Sequence, residues 1–416
     1  MIRALFAGVS GSRAHQTRMD VIGNNVANVN TIAFKSGRVT FEDLMYQTLR
    51  GAAAPTADGR GGINGAQVGL GTRVRSIDTL IGQGNLEYTD IPTDLAIDGA
   101  GYFIVSDGTR NFYTRDGSLR FDANGVLTHA STGLKLQGWM SLRSDGTVDT
   151  TTKLEDIRIP LGAKMSARAT SQVKLGGNLN SNASAGDKVE VQIEVFDSLG
   201  NAHQLTMTFE KTDDPATLDK TEWTWEVTTA EPGVTIGSGT GSISFDQYGQ
   251  CTGGQTATIT LAPGGGAAQA SIELNFSALT QYAADFSVRP TFWDGYSAGE
   301  LEDFTISNDG QIVGIYSNGQ HELLGQLALA NFANAGGLTA AGSNLYSVSP
   351  NSGAALISRP TAGGCGKVAC GALEMSNVDL AREFTDMIIT QRGFQANSRI
   401  ITTADEMLQE LINLKR

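Results

Sequence analysis

Cysteine, histidine, tryptophan and proline are scarce in this chain, with 3, 4, 4 and 9 residues among 416. So few Cys cannot staple a disulfide scaffold. His15, His129, His203 and His321 are scattered without ligand spacing, so no zinc site is expected, and they read as solvated or strand-edge side chains. No apolar run of roughly 18 residues occurs, which excludes a membrane-spanning helix and membrane insertion through one. The N-terminus, MIRALFAGVSGSRAHQ, lacks the long apolar core of a secretory signal. Basic residues are outnumbered, 30 Lys and Arg against 43 Asp and Glu, for a net charge of -13. No basic patch stands out, so nucleic acid is not an expected partner.

Glycine is abundant instead, with 51 residues. It has no three-residue period, which excludes collagen. Hydrophobic residues at 40% exclude a disordered chain. A chain this long divides by default into two or three domains.

No constellation carries chemistry. There is no Gly-x-Ser-x-Gly elbow. Asp122-Ala-Asn124-Gly125 has the start of a calcium loop but not the acidic residues that complete one. Gly99-Ala-Gly101 precedes a strand, whereas a dinucleotide loop follows one. Cys365 and Cys370 have no further Cys or His beside them, so zinc is not expected and a small disulfide loop stays open. No catalytic residue, cofactor or metal is expected, and the chain does not read as an enzyme.

The ends of the chain read as helix and the middle as strands. Ile2, Leu5, Phe6, Val9, Met19, Ile22 and Val26 give an apolar stripe over about 2–26, weakened by Gly8, Gly11 and Gly23. The Asn-rich run 24–31 ends it. Toward the C-terminus, Ser376 and Asp379 resemble a capping box. A helix then runs to Arg416, with Lys415 and Arg416 at the negative end of its dipole. Met387, Phe394, Ile401 and Leu408 recur every seven residues, with Phe384, Gln391, Ser398, Asp405 and Ile412 at the alternate seam positions. The polar members argue against a dry two-stranded zipper and for a larger bundle. Residues 36–75 are rich in Gly and Ala and read as a flexible or irregular connector.

From 76 to about 365 the text is β. Val189, Val191, Ile193 and Val195 alternate with polar residues, turn at 197–201, and continue as Leu205, Met207 and Phe209, a half-buried hairpin. Trp223, Trp225 and Val227 alternate likewise, as do Ile272, Leu274 and Phe276. Phe121-Asp122-x-x-Gly125 and Phe245-Asp246-x-x-Gly249 repeat one turn, and Ser307-Asn308-Asp309-Gly310 is its relative. Glycine supplies the positive φ that such turns need.

Several blocks together resemble the flagellar rod and hook proteins. They are Asn24-Asn25-Val-Ala27-Asn28-Val-Asn30-Thr31-Ile-Ala33-Phe34-Lys35, then Gln67-Val-Gly-Leu-Gly71 and Gln83-Gly-Asn-Leu86. Asp94-Leu-Ala-Ile-Asp98-Gly-Ala-Gly-Tyr-Phe103 and Tyr113-Thr-Arg115-Asp-Gly117 follow. Glu374-Met-Ser-Asn-Val-Asp-Leu380 and Gln391-Arg-Gly-Phe-Gln-Ala-Asn-Ser-Arg399 close the set. Ala33 departs from the pattern, which has Gly there.

The resemblance implies a mainly β chain with helical termini. The two helices form a coiled-coil-like inner domain, with two β-rich outer domains, the second inserted in the first. The implied division is 1–35 with 372–416 for polymerisation, 36–75 as connector, 76–148 with 286–371 as a discontinuous β domain, and 149–285 as the insertion. The inserted centre favours the hook branch over the distal-rod branch. Subunit contacts are then expected at Leu5, Val9, Met19, Ile22, Asn24, Asn25, Ala27, Asn28, Asn30, Thr31, Phe34 and Lys35. On the C-terminal helix they are expected at Phe384, Met387, Gln391, Phe394, Asn397, Ile401, Leu408 and Ile412. Further implications are self-assembly into a homopolymer, contact with distal rod, hook cap and hook–filament junction proteins, and export through the flagellum's type III apparatus. The chain would then work outside the cell. A reading from another class, a secreted adhesin or glycan-binding β protein, would use Trp223 and Trp225 as a sugar-stacking face.

Overall fold

The computed structural model describes residues 2–55, 61–143, 145–212 and 221–414. A long helix stands at each end, α1 (Ile2–Ala27) and α2 (Leu380–Asn413), with strands between. Lys415 and Arg416, expected to complement the dipole of α2, lie outside the described residues. The chain divides into two compact units, 1–159 with 305–313 and 323–416, and 160–304 with 314–322.

In the first unit α1 and α2 pack together. α2 starts at Asp379 and not at Ser376, a correction of the expected capping box. The Asp379 carboxylate accepts hydrogen bonds from the backbone N–H of Ala381 at 2.9 Å and of Arg382 at 3.3 Å. The carboxylate satisfies the first free N–H groups and also faces the positive end of the helix.

The expected irregular connector is a second correction, because two strand pairs run through its described residues. β1 (Gly37–Asp43) pairs with β4 (Thr72–Thr79), and β2 (Tyr46–Arg50) with β3 (Ala66–Gly69), both antiparallel. Val39, Phe41, Val74 and Ile77 are the cause. These β-branched and aromatic residues outweigh the Gly and Ala around them.

The β body of this unit is built on Tyr102–Ser106. That strand pairs with Asn111–Thr114, Lys135–Trp139 and Leu329–Asn331. Its core gathers Tyr102, Ile104, Tyr113, Trp139, Ala330 and Phe332. Tyr113 and Phe332 meet edge to face, with ring centres 4.9 Å apart, the geometry aromatic quadrupoles prefer.

The second unit is a sandwich of two five-stranded sheets. One holds the expected hairpin, in which Val191 faces Met207 and Ile193 faces Leu205. The other is centred on Ala270–Tyr282, which supplies Ile272, Leu274 and Phe276. The inward residues of both sheets form one core, where Phe276 packs on Phe209 and Trp225. Trp223 is 0% exposed and Trp225 3%. They are core residues, so the sugar-stacking face of the adhesin or glycan-binding alternative does not exist.

The repeated turn is one device. The Oδ1 of Asp122 accepts from the N–H of Asn124 and Val126, and that of Asp246 from Tyr248 and Gln250. Asp197 does the same for Leu199 and Asn201. Gly125, Gly249 and Gly200 close these turns at φ 75, 75 and 89°, where a side chain would be strained.

Candidate assembly surface of the terminal helices

The two helices form an antiparallel pair, since contacts climb α1 as they descend α2. Gly8 lies against Ile401, Gly11 against Asn397 and His15 against Gly393. Arg18 bridges to Asp386 at 3.0 Å. Asn25 donates to Glu383 at 3.1 Å. Glycine costs about 1 kcal/mol of helix propensity, yet here it brings the backbones close. A Cβ on Gly393 would fall 2.6 Å from the His15 ring, and one on Gly11 2.7 Å from the Asn397 amide. Burial and the neighbouring Arg18 both hold His15 below its ordinary pKa.

The register of α2 differs from the heptad reading. The face toward α1 carries Asp386, Thr390, Gly393, Asn397, Ile401, Ala404 and Leu408, with Thr390 and Ala404 buried. Asp386, Asn397 and Leu408 recur at a spacing of about eleven residues, close to three turns of a straight helix, whereas a seven-residue repeat drifts by about 20° per heptad. The expected residues therefore split. Met387, Asn397, Ile401 and Leu408 are half-buried, while Phe384, Gln391, Phe394 and Ile412 are exposed.

The N-terminal residues split as well. Ile22 and Asn25 are buried, Leu5, Val9 and Met19 half-buried, and Asn24, Ala27 and Asn30 exposed. Asn25 acts as a surrogate strand partner, donating to the Gly37 carbonyl and accepting from its N–H, each at 2.8 Å. Asn28 caps the end of α1 by donating to the Asn24 carbonyl at 2.9 Å, and Thr31 donates to Asn28 at 3.0 Å. Ala33 adopts φ 58°, so the turn persists without Gly. Its N–H donates to the Glu374 carbonyl at 2.7 Å. Phe34 is half-buried and its carbonyl accepts from the Asn377 N–H.

Lys35 leads to the centre of the arrangement. Its Nζ donates to Glu374 at 2.5 Å and to the Gly82 carbonyl at 2.9 Å. Glu374 also accepts from the Gly84 N–H at 2.8 Å and from Arg115 at 3.3 Å. Arg115 donates to the Gly99 carbonyl and lies over the Tyr102 ring. Asn377 donates to the Leu80 carbonyl and accepts from the Ser36 N–H. Burial lowers the Lys35 pKa, as does Arg115, while Glu374 opposes both. The sequence reading missed Glu374 and Arg115 as site residues, although both lie within the quoted blocks. It also missed Gly8, Gly11, Thr390 and Ala404, whose one signal is small size at helical spacing.

α2 keeps apolar side chains in solvent on both flanks of its seam, including Phe384, Ile388, Ile389, Phe394, Ile400 and Leu411. Among the described residues no cluster of His, Cys, Asp and Glu is placed to hold a metal. Cys251, Cys365 and Cys370 are free thiols. The His residues correct the solvated reading. His129 is buried, and His203 sits between Glu231 at 2.6 Å and Asp197 at 3.4 Å. His321 alone is exposed.

Comparison with known proteins gives matches along the chain. Residues 5–35 match the family described as Flagella basal body rod protein, and 96–181 the Flagellar hook protein FlgE/F/G D1 domain. Residues 166–296 match the Flagellar basal body protein FlaE D2 domain, and 370–414 the Flagellar basal body rod FlgEFG protein C-terminal family. The chain is 40% identical to a Flagellar hook protein FlgE of Treponema pallidum and 39% identical to one of Borreliella burgdorferi, in both cases over 100% of each chain. A crystal structure of Helicobacter pylori flagellar hook protein FlgE2 has a similar fold, with a TM-score of 0.54 at 14% identity. The match covers 70% of this chain and 100% of that one.

Proposed function

The chain belongs to the flagellar hook protein family, and from that premise we propose that its copies polymerise through α1 and α2 into a curved tube, the hook that transmits torque from rod to filament. The observation that carries this reading is the apolar surface of α2. One of its faces is spent on α1, and both flanks remain apolar and exposed. Exposed apolar area of that extent marks an interaction surface. The partner of the same composition in the greatest supply is another copy.

In this reading 1–35 and 372–416 form the inner wall, 36–75 joins it to the body, and 76–148 with 286–371 and the inserted 149–285 form outer layers. The work is structural and involves no cofactor. Distal rod, hook cap and junction proteins would meet the ends of the polymer. Export would use the flagellum's own type III channel. Among the described residues no helix is long and apolar enough to cross a membrane.

Polymerisation of the purified chain tests this. Phe394→Asp, at an exposed position, should leave the β signal in circular dichroism unchanged and abolish polymers. Deleting the last 20 or so residues should do the same. Normal polymers from either variant would overturn the proposal, and straight polymers in electron micrographs would favour a rod subunit instead.

A further inference from the structure

The side of α1 turned away from α2 is covered only in part, by the connector strands. A groove of 450 Å³ runs there, between Phe6, Val9 and Arg13 on the helix and Leu44, Leu70 and Val74 on the connector strands and their flanks. Its helical edge extends from Phe6 to Thr17, roughly 16 Å at the helical rise. Phe6 is 64% exposed. Arg13 is exposed and has no ion-pair partner among the described residues.

We propose that this groove receives the 400–411 stretch of α2 from a second copy of the chain. The inference rests on the assembly reading above and deepens it by assigning one contact. Length agrees, since 400–411 covers the same roughly 16 Å of helix. Apolar chemistry agrees, because Ile400, Met407 and Leu411 are exposed along one flank of α2. Charge agrees, because Glu406 and Glu410 stand exposed beside that flank, without ion-pair partners among the described residues, and so suit Arg13. The chain's own α2 cannot fill the groove. It occupies the opposite side of α1, where Gly8 faces Ile401, so the occupant comes from elsewhere.

The test uses the full chain with Val9→Cys carrying a benzophenone photo-crosslinker, copolymerised with isotopically labelled wild type. Wild type treated with the same reagent controls for its native thiols. Intermolecular adducts should map to 400–411 and form only in polymers. Separately, Arg13→Glu should raise the critical concentration for polymerisation about five-fold or more, and adding Glu406→Lys with Glu410→Lys should return it to within about two-fold of wild type. Polymers whose adducts map elsewhere, or an Arg13→Glu defect that the charge reversal does not correct, overturn the groove assignment and leave the assembly reading intact. Failure of the wild type to polymerise overturns both.

Discussion

Lys35 and Glu374 lie 339 residues apart in the chain, yet the lysine Nζ donates to the glutamate Oε1 at 2.5 Å with both side chains enclosed. Arg115 joins them from the β body. Around this ion cluster the chain brings together segments from several of the blocks that carried the family resemblance. They are the stretch after α1, the loop at 82–84, the turn at 99 and the lead-in to α2. The cluster therefore joins both helices to the body that carries them.

Removing the anion leaves two cations buried with no countercharge. Glu374→Ala should destabilise the first unit by roughly 3–5 kcal/mol, the usual result of breaking a buried pair from one side. Lys35→Met should cost less, because Arg115 still neutralises Glu374. Chemical denaturation of the two variants checks the order.

Gly393→Ala opposes two effects. Alanine improves helix propensity by about 1 kcal/mol, but its Cβ would sit 2.6 Å from the His15 ring. Net destabilisation is expected. His15→Ala in the same chain should restore stability by opening that space, and a double-mutant cycle by thermal denaturation reads the coupling.

Ala33 carries a left-handed conformation at φ 58°, a cost of roughly 1 kcal/mol for an L-residue. Ala33→Gly should raise the denaturation midpoint by an amount worth up to about 1 kcal/mol. Ala33→Val should lower it, since a β-branched residue tolerates that φ least.

His203 makes the second unit pH-dependent. Burial works against its charged ring, but hydrogen bonds and charge from Glu231 and Asp197 outweigh burial and raise its pKa above the ordinary 6.5. A raised pKa means the charged ring stabilises the fold fully below 6.5, and that contribution fades as pH climbs through the folded-state value. Asp197 has the opposite sign. Burial would raise its pKa, but donors from Asn201, Leu199 and His203 hold it at about 2, so its contribution is lost as pH falls from 3.8 toward that value. Unfolding of His203→Gln followed across pH 5 to 9 should show a flatter profile than wild type on the alkaline side.

The strands of the sandwich were legible because alternation has a short period. Val189 to Val195 and Leu205 to Phe209 needed only their neighbours to be read, and they pair in the expected hairpin. The connector misled because Gly and Ala dominate its composition, while a few β-branched and aromatic residues decide its pairing. The face of α2 that meets α1 was not legible for a related reason. Phe394 and Ile412 are as apolar as Ile401, and nothing local says which of them a neighbouring helix will cover.

Periodicity, turn chemistry and the terminal blocks belong to the sequence alone, because each depends on residues close together along the chain. The sequence alone determined a β-rich body between two helices, and the blocks pointed to the family. Tertiary structure decided what lies far apart: that glycines set the approach of the helices, that Trp223 and Trp225 face a core, and that Lys35, Arg115 and Glu374 share one enclosure. Close approach and burial are relations between distant segments, and they exist only once the chain has brought those segments together.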